Sequence, residues 1–355
     1  MSNRLSEMLA SRPWILADGA TGTNFFARGL EHGDAPELWN LKHPEKVIEQ
    51  YRSFIDAGSD LILTNSFGGT RNRLKLHNVD DQCREINRAA AALARQAAEE
   101  SGRGEIIVGG SMGPTGDLFE PLGPLTLEAG SEAFAEQARG LADGGADVLW
   151  IETISAVDEI KAAVAGAAVT GLLVVVTLSF DTNGRTMMGL TPGDFARLAG
   201  ELDPRPLGYG ANCGVGASEL IATILSMAEA AGPDDILVAK GNCGIPQFVD
   251  GEIAYSGTPS LMADYARLAL DSGARIIGGC CGTTPDHIRA MRAALESHEK
   301  GEKPDLETIV ARLGALSKGA AELQGQGPLG DRPAASNERR RRGRRRGQGD
   351  KTPGF

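Results

Sequence analysis

Long apolar runs are missing from this chain. None of its 355 residues falls in a stretch approaching the roughly 20 consecutive apolar residues that span a bilayer. The N-terminal MSNRLSEMLASRPW lacks the apolar centre of a secretory leader, so a cytoplasmic location is expected. Cysteine is scarce as well. There are five, an odd number: Cys83, Cys213, Cys243, Cys280 and Cys281. In a reducing compartment such residues are metal ligands, nucleophiles or core more often than disulfides. Net positive charge is also absent. The formal charge is −11, which argues against nucleic acid or an anionic membrane as partners of the folded body. What basic charge exists is clustered, with seven arginines between Arg339 and Arg346. Without interleaved aromatics, that block offers nucleic acid only weak, salt-sensitive contact. A solubilising or docking tail is the plainer expectation.

Against these absences stands a regular alternation. Short β-rich runs recur: WILADGA (14–20), LILTNSF (61–67), IIVGGSM (106–112), VLWIET (148–153), LVVVTLSF (173–180), LGYGANC (207–213), ILVAKGNC (236–243) and RIIGGCC (275–281). Helical patterns separate them. PEKVIEQYRSFIDAG places Pro44 in a first turn, apolar residues at helical spacing, and Gly58 past its end. Eight such units predict a closed α/β (β/α)8 TIM barrel over residues 1–300; the alternative is an open doubly wound sheet. Residues 301–323 are expected to form a C-terminal helix. Residues 324–355 read as a disordered, Arg-rich basic tail.

Polar residues cluster at the C-terminal ends of these runs: Asp18, Asn65, Glu152, Asp181, Cys213, and the adjacent Cys280 and Cys281. A barrel carries its active site on that face. Adjacent cysteines make a strained disulfide, and in a regular strand they point to opposite faces. Flanking Gly278, Gly279 and Gly282 allow the backbone to leave strand geometry. With Cys213 two strands away on the same rim, three thiolates would form a zinc site with one open position. Inert burial is the competing reading. Cys243 ends the intervening run and is either a fourth ligand or a bystander. Cys83 reads as a packing residue.

The segments ADGATGTNF, LTNSFGGTR, GPTGDLFEPLG, ETISAVDEIKAAV, GANCGVG and GGCCGTTPDHI, in this order, resemble the homocysteine S-methyltransferase family. The resemblance spans nearly all of residues 12–297. It implies a (β/α)8 barrel with a catalytic Zn²⁺ held by Cys213, Cys280 and Cys281, leaving Cys243 outside the set. It further implies that Asp18 and Glu152 meet the amino group of homocysteine. The Gly19 backbone and Thr64 would meet its carboxylate, with Asn212 behind the ligand shell.

The chemistry is consistent. A free thiol has a pKa near 8.5, methyl transfer needs the thiolate, and coordination drives off the proton. The methyl donor stays open. Betaine would want aromatic faces, for which Phe67 and Trp39 are candidates. Yet Gly68 stands where betaine enzymes of the family carry Tyr. LTNSFGGTR and GPTGDLFEPLG look closer to the methionine synthase module, which implies methylcobalamin delivered by a separate cobalamin-binding partner protein. S-methylmethionine is a third possibility.

Overall fold

The computed structural model describes residues 3–317, apart from 32, 245, 250 and 251, together with residue 319. Eight parallel strands run Ile15–Leu16 (β1), Leu61–Leu63 (β2), Ile107–Met112 (β3), Val148–Ile154 (β4), Leu173–Leu178 (β5), Gly208–Cys213 (β6), Ile236–Gly241 (β7) and Ala274–Gly279 (β8). Their order is β1-β8-β7-β6-β5-β4-β3-β2, and a parallel bridge between Ala17 and Leu61 joins the two ends. The expected barrel is therefore present, and the open sheet is excluded.

One helix follows each strand: α1 Pro44–Ala57, α2 Cys83–Glu100, α3 Leu127–Asp143, α4 Val157–Ala168, α5 Pro192–Glu201, α6 Ala217–Ala230, α7 Pro259–Asp271 and α8 Pro285–Glu296. Their ends follow the sequence signals. Proline occupies the first turn of α1, α5, α7 and α8, and Gly58 closes α1 in the left-handed region. A two-stranded antiparallel hairpin, Pro246–Val249 with Glu252–Tyr255, interrupts the segment between β7 and α7. It was not anticipated.

Two apolar layers hold the barrel. The larger lies between strands and helices; Leu16, Ile62, Val108 and Leu149 face it. The smaller fills the barrel interior with the alternate residues Ile15, Leu61, Leu63, Ile107, Val148, Trp150 and Val238. An N-terminal helix, Arg4–Ser11, inserts Leu5, Met8 and Leu9 into that inner layer. Each such side chain contributes about 1.5–3 kcal/mol when fully buried. The helix thereby stoppers the N-terminal end and leaves the opposite end for chemistry.

Carboxylates supplement the backbone bonds of the seam between β1 and β2, where Asp60 N–H donates to Leu16 O at 2.7 Å. Leu16 N–H donates to Asp60 Oδ2 at 3.0 Å, and Leu63 N–H donates to Asp18 Oδ2 at 2.7 Å. Side-chain oxygens thus take up two backbone N–H groups where the barrel closes. Asp18 Oδ1 accepts from Lys240 Nζ of β7 at 2.6 Å, and both side chains are 2% exposed.

A last helix, Leu306–Leu313, packs Ile309 and Leu313 against the body. Gly314 takes φ +99° and ends it; residues 318 and 320–323 of the expected helix lie outside the described residues. The basic segment predicted from residue 324 lies outside the described residues.

Removing one partner of a buried ion pair strands the other, at a cost of about 3–5 kcal/mol. Lys240→Met should lower unfolding stability in urea by that order, and adding Asp18→Asn should restore part of it. Equal stability of Lys240→Met and the parent would show that the seam does not depend on this pair.

Candidate active site

The site is assembled from the ends of β6 and β8. Cys213 is the last residue of β6 and takes φ +58°, in the left-handed region; Gly214 follows at +73°. A non-glycine residue held there costs about 1–3 kcal/mol. The turn swings the Cys213 thiol toward the residues after β8. Cys280 and Cys281 leave the strand with Cys280 N–H on Gly241 O (2.7 Å), and Gly282 then takes φ +77°. The three Sγ atoms all lie within 4.8 Å of one another, with Cys213 and Cys281 at 3.8 Å.

Two carboxamides brace the turn. Asn212 accepts from Thr153 N–H (3.0 Å) and donates to Thr153 Oγ1 (2.7 Å); its Nδ2 lies 3.9 Å from Cys280 Sγ. Asn242 donates to Gly214 O (2.9 Å) and accepts from Cys281 N–H (3.1 Å).

These sulfurs fit a tetrahedral cation. Bonds of about 2.3 Å to a tetrahedral Zn²⁺ set sulfurs about 3.8 Å apart. The electrostatics agree. Contacts among the thiols, with burial behind them, leave Cys213 pushed up to about 11 and Cys281 up to about 12. The thiolate form at neutral pH therefore calls for a compensating positive charge.

Cys243 is not part of this group. Its Sγ lies 3.1 Å from His287 Nε2, and burial pushes its thiol up to about 11. Cys83 is buried in α2 and donates to Gly69 O. All five cysteines are free thiols.

A cavity of about 440 Å³ opens over the cluster, and Gly19, Thr64, Phe67, Glu152 and the three cysteines line it. Glu152 is buried, and its Oε1 accepts from Ser111 Oγ. Burial pushes its carboxyl upward; the Lys240 charge and the Ser111 bond oppose that. Asp18 is likewise pushed up by burial and opposed by Lys240. Lys240 is paired with Asp18, and Glu152 has no ion-pair partner among the described residues; Glu37, accepting from Gly68 N–H at 2.7 Å, is a second buried carboxylate on the cavity wall.

A profile of the homocysteine S-methyltransferase family matches residues 15–295. The chain belongs to this family. It is 32% identical to methionine synthase of Mycobacterium leprae and 30% identical to that of Mycobacterium tuberculosis, in each case over 84% of this chain. It spans about a quarter, 26%, of the length of those relatives. The homocysteine methyltransferase MmuM from Escherichia coli, in its metallated form, superposes with a TM-score of 0.68 at 26% identity. That match covers 81% of this chain and 99% of the other.

Among the residues expected from sequence to form the site of this homocysteine S-methyltransferase family member, the structure brings most to one cavity. Three depart from expectation. Trp39 is buried, packed 5.1 Å from the Phe25 ring with Lys46 Nζ 4.5 Å over its face, so it offers no surface to a donor. Asp18 lies beneath the cavity, with both oxygens engaged by Leu63 and Lys240. Thr64 lines the cavity, but its hydroxyl is committed. Ser66 Oγ spends its proton on Ser111 O (2.7 Å), and Thr64 Oγ1 sits 2.6 Å from Ser66 Oγ while accepting from Ser111 N–H (2.9 Å). Thr64 therefore donates to Ser66. Gly19 cannot be replaced cheaply, since a Cβ there would fall 2.7 Å from Thr283 O. Lys240 and Asn242 were missed. A lysine inside the apolar run ILVAKGNC was the available signal for the first.

Cys213→Ala should reduce bound zinc, counted by metal analysis, from about one per chain to near zero. Cys243→Ser should leave it unchanged. Zinc lost from Cys243→Ser and kept in Cys213→Ala would reverse the assignment.

Proposed function

We propose that this protein is a zinc-dependent homocysteine S-methyltransferase that forms methionine. The observation that carries the reading is the meeting of three sulfurs with the buried Glu152 carboxylate in a single cavity. Cys213, Cys280 and Cys281 would hold Zn²⁺, which supplies the Lewis acidity that keeps an incoming thiol deprotonated at neutral pH. Glu152 takes the substrate ammonium. Lys240 is paired with Asp18 beneath the cavity, which leaves the Glu152 carboxylate without an ion-pair partner among the described residues. The Gly19 loop receives the carboxylate. Asn212 and Asn242 hold the cysteines in place. The substrate sulfur then attacks the donor's methyl carbon in line, forming the new S–C bond as the donor's bond to that methyl breaks. The cavity contributes orientation.

Methylcobalamin carried by a separate partner protein is the donor we favour. The two methionine synthase relatives, matched over 84% of this chain, support that donor. Trp39 is buried away from the cavity, while Phe26 lines it and is 43% exposed, an aromatic face open to a quaternary ammonium. Phe67, 38% exposed on the cavity wall, keeps direct use of betaine or S-methylmethionine as the second reading. Small-molecule chemistry of this kind suits the reducing cytoplasm. No helix among the described residues is long and apolar enough to cross a membrane.

Two measurements test this. Zinc-loaded protein should convert homocysteine to methionine with methylcobalamin, faster than with betaine or S-methylmethionine; turnover with betaine alone would move the assignment to the second reading. Glu152→Gln loses a charged hydrogen bond worth about 1.5–3 kcal/mol, so KM for homocysteine should rise about 10- to 100-fold with zinc retained. An unchanged KM would remove Glu152 from ammonium recognition.

A further inference from the structure

A second cavity of about 480 Å³ is lined by the segments that follow β3, β4 and β5. Its walls include Leu118, Leu122 and Met188, exposed by 58, 67 and 48%. Five carboxylates line it and no lysine or arginine does. Glu159 is taken up by Thr115, and Asp194 pairs with Arg197. Asp117 accepts only from the Asn72 amide, at 2.7 Å. Asp117, Glu120 and Asp158 are exposed and have no cationic partner among the described residues. An exposed apolar surface rimmed by one sign of charge marks a docking site for a segment of the opposite sign.

The end of the described chain points to the occupant. After the helix Leu306–Leu313, Ala315 O accepts from Ser218 Oγ (3.4 Å) and Ser317 N–H donates to Glu219 Oε1 (3.0 Å). Ser317 Oγ then donates to Thr182 O (2.8 Å), and a Cβ on Gly319 would fall 2.5 Å from Asn183 Cα. Thr182 and Asn183 belong to the loop after β5. Met188 of the groove lies five residues further along that loop, at most about 18 Å away. Arg339 begins twenty residues beyond Gly319, a reach of up to about 70 Å. Attachment at such short range supplies an effective concentration on the order of millimolar.

We propose that the arginine block Arg339–Arg346 docks into this groove of its own chain. Guanidinium groups pair with Asp117, Glu120 and Asp158, and the arginine stems cover the leucine and methionine surface. Ser155 and Ala156 of the groove follow Thr153 of the active-site cavity in sequence. The docking holds whatever the methyl donor is.

Full-length protein treated with trypsin tests this. Cleavage within Arg339–Arg346 is timed against the free peptide of residues 320–355 in the same buffer. At about 20 mM salt the tethered block should be cut about tenfold more slowly than the peptide, and at about 0.5 M salt the difference should vanish. Glu120→Lys with Asp158→Lys should abolish the protection, with zinc content and turnover unchanged. Met188→Ser should weaken it. Equal cutting of protein and peptide at low salt overturns the proposal. So does protection that survives the double charge reversal, that grows with protein concentration, or that requires an added oligonucleotide.

Discussion

The left-handed turn at Cys213 is the constraint on which the site rests. Three sulfurs must meet although they come from chain positions nearly seventy residues apart and from strands separated by β7. A regular β6 would carry Cys213 past the meeting point. Positive φ at Cys213 and Gly214 bends the chain back, and Asn212 and Asn242 tie the bend to β4 and to the backbone after β8. The strain is sustained because both carboxamides have defined partners on both ends. Backbone cost is thereby converted into a preset sulfur triangle, which lowers the reorganisation needed to receive a divalent cation.

The same economy governs charge. Asp18 performs two structural tasks at once, closing the β1–β2 seam and holding Lys240. Its charge is paired with Lys240 where it stands, and that pairing opposes the burial that disfavours its charged form at this depth.

Much of this was legible in the sequence, for identifiable reasons. The barrel was readable because each strand–helix unit carries its own punctuation, such as Pro44 and Gly58 around α1. The sulfur triangle was readable because GGCC has no good structural use. The tripeptide NCG, however, occurs twice, at 212–214 and 242–244. Both copies end in a glycine with positive φ, yet only Cys213 is itself left-handed. Cys243 turns instead toward His287, and no local pattern distinguishes the two. Trp39 was misplaced for a similar reason. Its stacking on Phe25 and its cover by Lys46 are tertiary facts. The N-terminal helix does carry an apolar i, i+3, i+4 set in Leu5, Met8 and Leu9, but eight residues are too few to announce a helix unaided.

That short helix has a kinetic corollary. A barrel corked at one end is a blind alley with a single doorway, so whatever sits deepest must enter first and leave last. On the proposed function, an amino acid held at Glu152 would therefore bind before the methyl donor and leave after it.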